Sequence, residues 1–346
     1  TIRRDIAADL DRRLNEAAIE ASTGRKTDVY KSLGLRSGEL SALRSHINRN
    51  RGFIDGNALL SNRLEVMSSS LGGVRDAIQG FLEVAISFRD NNAPEGTVLQ
   101  SAARAAYDQI TTLINTPYEG TQLFGGTASR DPTLQPWNEP NPATGLSPED
   151  VLAGIVAGGF TDTADAAAKA AEVDQVFANA YASSPASNFE ATFYNGTALE
   201  IAPGVPTRRL AALIETSTLL DYGVQANDPA ISTALKGLAM VASIDPASIS
   251  DLGAYEAWIG TAIDAVGGGI ALVNEAQTHL GGQQQLLQST IDRQKERADL
   301  YAGQLALMEG VDPYEAASRV SVLTTQLEAT YAISARISQL TFLNFL

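Results

Sequence analysis

The residue types that carry most enzyme chemistry are thin in this 346-residue chain. There is no cysteine, hence no disulfide, no thiol nucleophile and no Cys-ligated metal. The two histidines, His46 and His279, lie far apart in sequence, and neither has a second His or a Cys at metal-ligand spacing. Each reads as a solvated surface side chain. No His-Glu-x-x-His motif, no Gly-x-Ser-x-Gly elbow and no Gly-Lys-Ser/Thr phosphate loop occurs. Gly267-Gly268-Gly269 has no strand before it and no Lys after it, so it reads as a helix break rather than a phosphate cradle. Asp162, Asp165 and Asp174 fit no EF-hand loop. Asn195-Gly196-Thr197 matches a glycosylation sequon, but Asn-Gly already predicts a tight hairpin turn. Carboxylates are too numerous for a catalytic pair to stand out: 40 Asp and Glu against 25 Lys and Arg give a net charge of −15. That acidity argues against nucleic acid or an anionic membrane as partner, since both reward basic patches. No catalytic residue, cofactor or metal is expected.

What the chain has instead is apolar periodicity. Leu60, Leu64, Met67, Leu71, Val74, Ile78, Phe81, Ala85 and Phe88 alternate steps of four and three, a heptad seam held for about four heptads. A second seam runs Ile270, Val273, Gln277, Leu280, Gln284, Leu287, Ile291, Gln294, Ala298, Tyr301, Leu305 and Met308. Its glutamines lower seam stability and either fix register or tolerate a partly wet seam. A third runs Ala316, Val320, Leu323, Leu327, Tyr331, then Ser334 in an apolar place, Ile337, Leu340 and Leu343. These spacings predict long amphipathic helices toward both ends of the chain. The sequence ends Leu340-Thr341-Phe342-Leu343-Asn344-Phe345-Leu346. Apolar side chains at a terminus have no chain beyond them to cover them, so burial against another chain is expected. Tyr331, Ile337, Leu340, Phe342, Leu343, Phe345 and Leu346 are the candidate subunit-interface residues.

The organisation reads as rod, head, rod. Residues 1–130 form the N-terminal half of a helical rod, beginning with a helix that carries Ile6, Leu10, Leu14, Ala17 and Ala21 on one face and stops at Gly24. Asn91 to Gly96 is a turn cluster, and Gln122-Leu123-Phe124 suits a short strand. Pro132, Pro136, Pro140, Pro142 and Pro148 then exclude helix. Residues 131–226 are expected as an inserted mixed α/β head, with a helix over 164–180, strands over Phe189–Tyr194 and Thr207–Ile214, and few contacts across its borders. Residues 227–346 return to helix from Asp228-Pro229, with breaks near Pro246, Gly253, Gly267–Gly269 and Gly281-Gly282. The fold class is therefore mainly α: a long antiparallel helical rod formed by both chain ends, with an inserted α+β head domain. No run of eighteen apolar residues predicts a membrane span. The start has no apolar stretch of the kind a Sec signal needs.

Three segments resemble the bacterial flagellin superfamily. Leu327-Glu328-Ala329-Thr330-Tyr331-Ala332-Ile333-Ser334-Ala335-Arg336-Ile337-Ser338-Gln339-Leu340 with its apolar tail is similar to the carboxyl end of flagellins and of the proteins joining hook to filament. Glu20-Ala21-Ser22-Thr23-Gly24-Arg25-Lys26 resembles their Ser-Thr-Gly-Lys/Arg segment, and Asn115 to Gly126 resembles the junction branch in particular. Family members carry a further short stretch ahead of the segment matching Thr1, which implies a clipped chain or a short first helix. The resemblance implies an extracellular structural protein of the flagellum, exported by the flagellum's own channel. Its implied partners are hook-associated protein, flagellin, copies of itself and an export chaperone. Filament-forming flagellin is the alternative. So is a flagellin-like surface protein whose head binds polysaccharide through Trp137, Phe189, Phe193 and Tyr194. Deleting Thr341 to Leu346 is expected to leave the melting temperature near that of the full chain while abolishing assembly. Circular dichroism beside an assembly assay checks this, and a large loss of melting temperature would place the segment in the core.

Overall fold

The computed structural model describes the backbone of residues 2–89, 96–128 and 132–343, and the side chains of 5–89, 97–128 and 132–336. The elements are α1 (Ile2–Thr23), α2 (Val29–Leu33), α3 (Ser37–Ala85), α4 (Gly96–Ile114), α5 (Pro148–Ile155), α6 (Thr163–Phe177), β1 (Glu200–Ala202), β2 (Val205–Pro206), β3 (Ala211–Glu215), β4 (Thr218–Asp221), α7 (Pro229–Ala242), α8 (Leu252–Glu309) and α9 (Pro313–Leu343). The fold is mainly α with small two-stranded sheets, β1–β2 and β3–β4, both antiparallel. Contacts divide the residues into unit 1 (Thr1–Asp55 with Asp292–Leu346) and unit 2 (Gly56–Ile291).

Unit 2 holds a single contiguous apolar core. Each of the nine seam residues from Leu60 to Phe88 is buried in it, as are Val273, Leu280, Leu287 and Ile291 of α8. α4 packs on α7, and α5 and α6 pack on α7 as well. Over one stretch α8 is long and apolar enough to cross a membrane by length and composition. Within that helix Ala254, Tyr255, Trp258, Ile259, Ala262 and Val266 are buried in the core, which is where its apolarity is used.

The triple glycine does not break α8, which runs 58 residues straight through it and through Gly281-Gly282. The reason is packing. A Cβ on Gly269 would stand 2.8 Å from the Ala234 Cβ of α7, and one on Gly237 of α7 would stand 2.5 Å from a Val266 methyl. Gly269 and Gly237 let the two helices approach closely, and this close packing outweighs the helix propensity lost.

Residues 132–225 differ from expectation in two places. Phe189–Phe193 is a π-helical turn and not a strand. A four-residue separation of Phe189 and Phe193 satisfies both a strand period and a helical turn, and here it stacks the two rings on each other at 5.6 Å and sets both at a tilt against Phe177, at 5.1 and 5.2 Å. Asn195 is not in a hairpin turn. Its backbone donates to Thr133 and its side chain donates to the Pro132 carbonyl while accepting from Asn141. Gln122-Leu123-Phe124 forms no strand, and the Phe124 carbonyl accepts from Ala226 instead. The helix expected over 164–180 is α6, and of the strand expected over Thr207–Ile214 residues 211–214 lie in β3 while 207–210 form no strand. The turn cluster Asn91–Glu95 lies outside the described residues. Contacts cross residue 130: Tyr107 meets Trp137 edge-on at 5.2 Å, Asn115 exchanges two hydrogen bonds with Leu134, and Arg104 pairs with Glu149. Lys236 of α7 pairs with Asp174 of α6 across residue 226.

The glycine run gives a differential test. Gly267 and Gly268 have open space where a Cβ would sit. Gly268→Ala is expected to stabilise the chain by about 0.5–1 kcal/mol through helix propensity. Gly269→Ala is expected to cost about 1–3 kcal/mol by overpacking. Urea unfolding of the two variants checks the opposite signs.

Candidate assembly interface

The terminal helices are the elements that sequence periodicity marks for assembly, and both lie in unit 1. α1 and α9 pack on each other. Their shared apolar seam is thin. Ala17 of α1 and Ala316 and Leu323 of α9 are buried, while Leu10, Leu14, Ala21, Val320 and Leu327 are half-buried and Ile6 is exposed. Polar contacts supplement it: Arg319 of α9 bridges Glu20 of α1 at 2.9 Å, and the Tyr331 hydroxyl donates to Asp11 at 3.2 Å. The Tyr331 phenol pKa is pushed up, first by that hydrogen bond and then by the Asp11 charge. The contact is thus present below the ordinary tyrosine range and is lost as pH rises through the raised value.

A backbone knot ties the two helices at their inner ends. α1 stops at Gly24, whose φ of 67° is the left-handed region. The Gly24 carbonyl accepts from Val311, Lys26 donates its backbone N–H to the Glu309 carbonyl at 2.8 Å, and its ammonium donates to the Met308 carbonyl. The Glu309 side chain, 9% exposed, accepts from Arg44 of α3 at 2.6 Å. Arg44 also donates to the Tyr30 hydroxyl and lies over its ring. Ser22-Thr23-Gly24-Arg25-Lys26 is therefore structural in role, turning the chain and clamping it to the α8–α9 connection. Further along, buried Asn50 of α3 donates to the Gln294 carbonyl of α8 at 2.7 Å. Gln294 is fully buried and Gln277 donates to the Ser68 carbonyl, so two seam glutamines contact the facing helix.

Among the candidate interface residues, Tyr331 is described and is 52% exposed. Ile337, Leu340, Phe342 and Leu343 lie on the helical backbone of α9, with side chains outside the described residues. Phe345 and Leu346 lie outside them altogether. The structure adds apolar residues that the seam pattern passed over: Val322, Ile333 and Tyr314 on α9, Ile19 on α1, and Leu300 and Leu307 on α8 are all exposed. Their signal was available, since each is an apolar residue off the 3/4 stripe of its helix.

Chemistry finds little foothold elsewhere. Among the described residues no group of three His, Asp or Glu is placed to hold a metal ion. His46 is exposed beside Tyr301, with ring centroids 6.1 Å apart, and His279 is exposed on a cleft of about 480 Å³ in unit 2. Two charged groups at that cleft, Arg209 and Asp228, pair with each other. Asp162 and Asp165 cap α6, and Asp174 is held by Lys236. Trp137, Phe189, Phe193 and Tyr194 are buried, so the polysaccharide reading loses its stacking surface.

Residues 263–346 match the family model of the bacterial flagellin C-terminal helical region. The fold is similar to that of a candidate flagellar hook-associated protein from Vibrio parahaemolyticus, with a TM-score of 0.53 and 13% identity over 80% of this chain and 99% of that one. Bacillus cereus FlgL gives a TM-score of 0.39 and 11% identity over 79% of this chain and 98% of that one. No curated protein matches by sequence. The C-terminal segment is thus similar in sequence to the flagellin C-terminal helical region, and the fold is similar to that of a hook-associated protein.

The knot generates a prediction. A Cβ on Gly24 meets nothing within 4 Å, so a substitution there costs only what the left-handed backbone imposes. Gly24→Val is expected to destabilise unit 1 by about 1–2 kcal/mol, and Gly24→Asn by less. Faster amide exchange in α1 of the Val variant, with α4 and α7 unchanged, is the expected readout.

Proposed function

We propose that this chain is a structural, non-enzymatic subunit of the bacterial flagellum, joining hook to filament and assembling through α1 and α9. The observation that carries the reading is the flagellin C-terminal region itself, residues 263–346, which includes all of α9. The likeness in fold to a hook-associated protein supports it, and so do the exposed apolar residues on α9. Hook-associated protein, flagellin and further copies of this chain are the partners on this reading. The protein acts outside the cell and reaches that place through the flagellar export channel, attended by an export chaperone.

The mechanism is association of helices. α1 and α9 are helical and pack on each other within one chain. Their pairing buries few side chains, which leaves apolar surface for a neighbour. Covering a large exposed side chain contributes roughly 1.5–3 kcal/mol before ordering costs. Repeated head-to-tail contacts of this kind close into rings or extend as helical tubes.

A strain lacking the protein is expected to carry hooks without filaments and to shed flagellin into the medium. Wild-type protein should restore filaments, whereas a Val322→Asp, Ile333→Asp variant should remain folded and fail to do so. Hooks bearing normal filaments in the null strain would exclude the junction role. Filaments that are absent, with no flagellin released, would instead favour the filament-forming subunit.

A further inference from the structure

The cleft of about 480 Å³ lies wholly within unit 2. One side is the segment from Asp221 to Ala230, which leads from β4 into α7, and the other is the stretch of α8 from Leu272 to Gln283. Its walls are apolar: Tyr222, Val224, Pro229 and Ala230 face Leu272 and Ala276. The volume falls within the range of small-molecule sites, about 300–1,000 Å³. Hydrogen bonds fix the walls before any ligand arrives. Buried Gln283 donates to the Asp221 carbonyl at 3.0 Å and accepts from the Gly223 N–H at 3.4 Å, which pins the segment to α8. Gly223 has a φ of 89°, the left-handed region, and turns the chain there. Beyond the turn, Ala226 donates to the Phe124 carbonyl.

The ionisable side chains that line the cleft are Arg209, Asp221, Asp228, Glu275 and His279. Arg209 holds Asp228 with both arms of its guanidinium, and Asp228 also accepts from the Gln225 N–H, so that pair is closed on itself. Asp221 and Glu275 are exposed, and neither carboxylate has a hydrogen-bond or ion-pair partner among the described residues. With His279 neutral the lining carries a net charge of −2. The −15 of the whole chain acts in the same direction and draws in cations rather than anions. A bare metal ion gains nothing from apolar walls, and among the described residues no group of three His, Asp or Glu is placed to hold one. The chemistry that fits is a cation with an apolar body.

We propose that this cleft binds a small organic cation, an ammonium carried on an aromatic or aliphatic body. The body packs against Tyr222, Val224 and Leu272, and the ammonium meets the carboxylates of Asp221 and Glu275. Each part is needed. A charge pair at an exposed rim is weak in water. The apolar body adds burial, and the water it excludes strengthens the contact between the charges. The ligand touches both the segment before α7 and α8, so its occupancy stabilises unit 2 by mass action. The site does not depend on the assembly role proposed above.

The test is titration calorimetry of the full-length chain with tryptamine as the probe. Indoleacetate and tryptophol carry the same ring with a negative charge or none, and ethylamine carries the charge without the ring. Tryptamine is expected to bind with a dissociation constant on the order of 0.1–1 mM, and the other three about tenfold more weakly or not at all. The double variant Asp221→Asn, Glu275→Gln should weaken tryptamine about tenfold and leave the melting temperature unchanged, since both side chains are exposed. The double variant Glu83→Gln, Glu256→Gln removes the same charge from exposed positions that do not line the cleft, and it should bind tryptamine as wild type does. Ala276→Phe fills the cleft and should abolish binding. No measurable tryptamine binding, or indoleacetate binding as tightly, overturns the proposal. Equal weakening in the two double variants would reduce the effect to general attraction by an acidic surface and overturn the site. Undiminished binding to the Ala276→Phe variant would do the same.

Discussion

Burial of one apolar stripe along α3 and one along α8 is the interaction on which the rest depends. The stripe from Leu60 to Phe88 is buried at each of its nine positions. Each large side chain buried there contributes roughly 1.5–3 kcal/mol against the entropy of ordering the chain. α1 and α9 lack such a stripe among their described side chains, with Ala17, Ala316 and Leu323 as their buried apolar residues. Stability is thus graded along the molecule. A well-filled core supports unit 2, and a thin seam with a hydrogen-bonded knot supports the terminal helices. Helices held by few buried contacts are marginal alone and gain most from a neighbour.

That gradient links the fold to the role proposed for it. An assembling subunit needs surface that folding does not consume. Val322, Ile333 and Tyr331 provide it on α9, while the knot around Gly24 and Glu309 keeps α9 in register with α1. Glu309 shows how the fold settles a buried carboxylate: Arg44 supplies the counter-charge, and the Glu309 backbone carbonyl is taken by Lys26.

Periodicity made most of the helical framework legible. The 3/4 steps located α3, α8 and α9, and Gly24 and Asp228-Pro229 marked helix ends that the structure shares. What the residues hid was context. Three consecutive glycines look like a break, but Gly269 and Gly237 are there so that α7 and α8 can approach. Phe189 and Phe193 fit a strand, yet the Phe177 ring that both pack against lies in α6, and the helical turn brings both to it. Trp137 stands in a proline-rich stretch with no periodic pattern to name its partner, and it is buried with Tyr107 of α4 edge-on to it. The apolar tail residues Phe342 to Leu346 were legible as a pattern, whereas the exposed Val322 and Ile333 fell off the stripe and were passed over. Seam arithmetic follows the stripe a helix turns inward and passes over apolar residues elsewhere on its surface.

The central claim is that α9 presents its exposed apolar residues to another subunit. The absence of native cysteine makes it directly measurable, since a single introduced thiol reports only on its own surroundings. Ile333→Cys protein, incorporated into flagella in cells, sheared off and oxidised, should give disulfide-linked species on a non-reducing gel, while Glu139→Cys in unit 2 should not. Ile333→Cys protein that enters the flagellum and stays free of intermolecular linkage, with Glu139→Cys linked instead, would contradict the account.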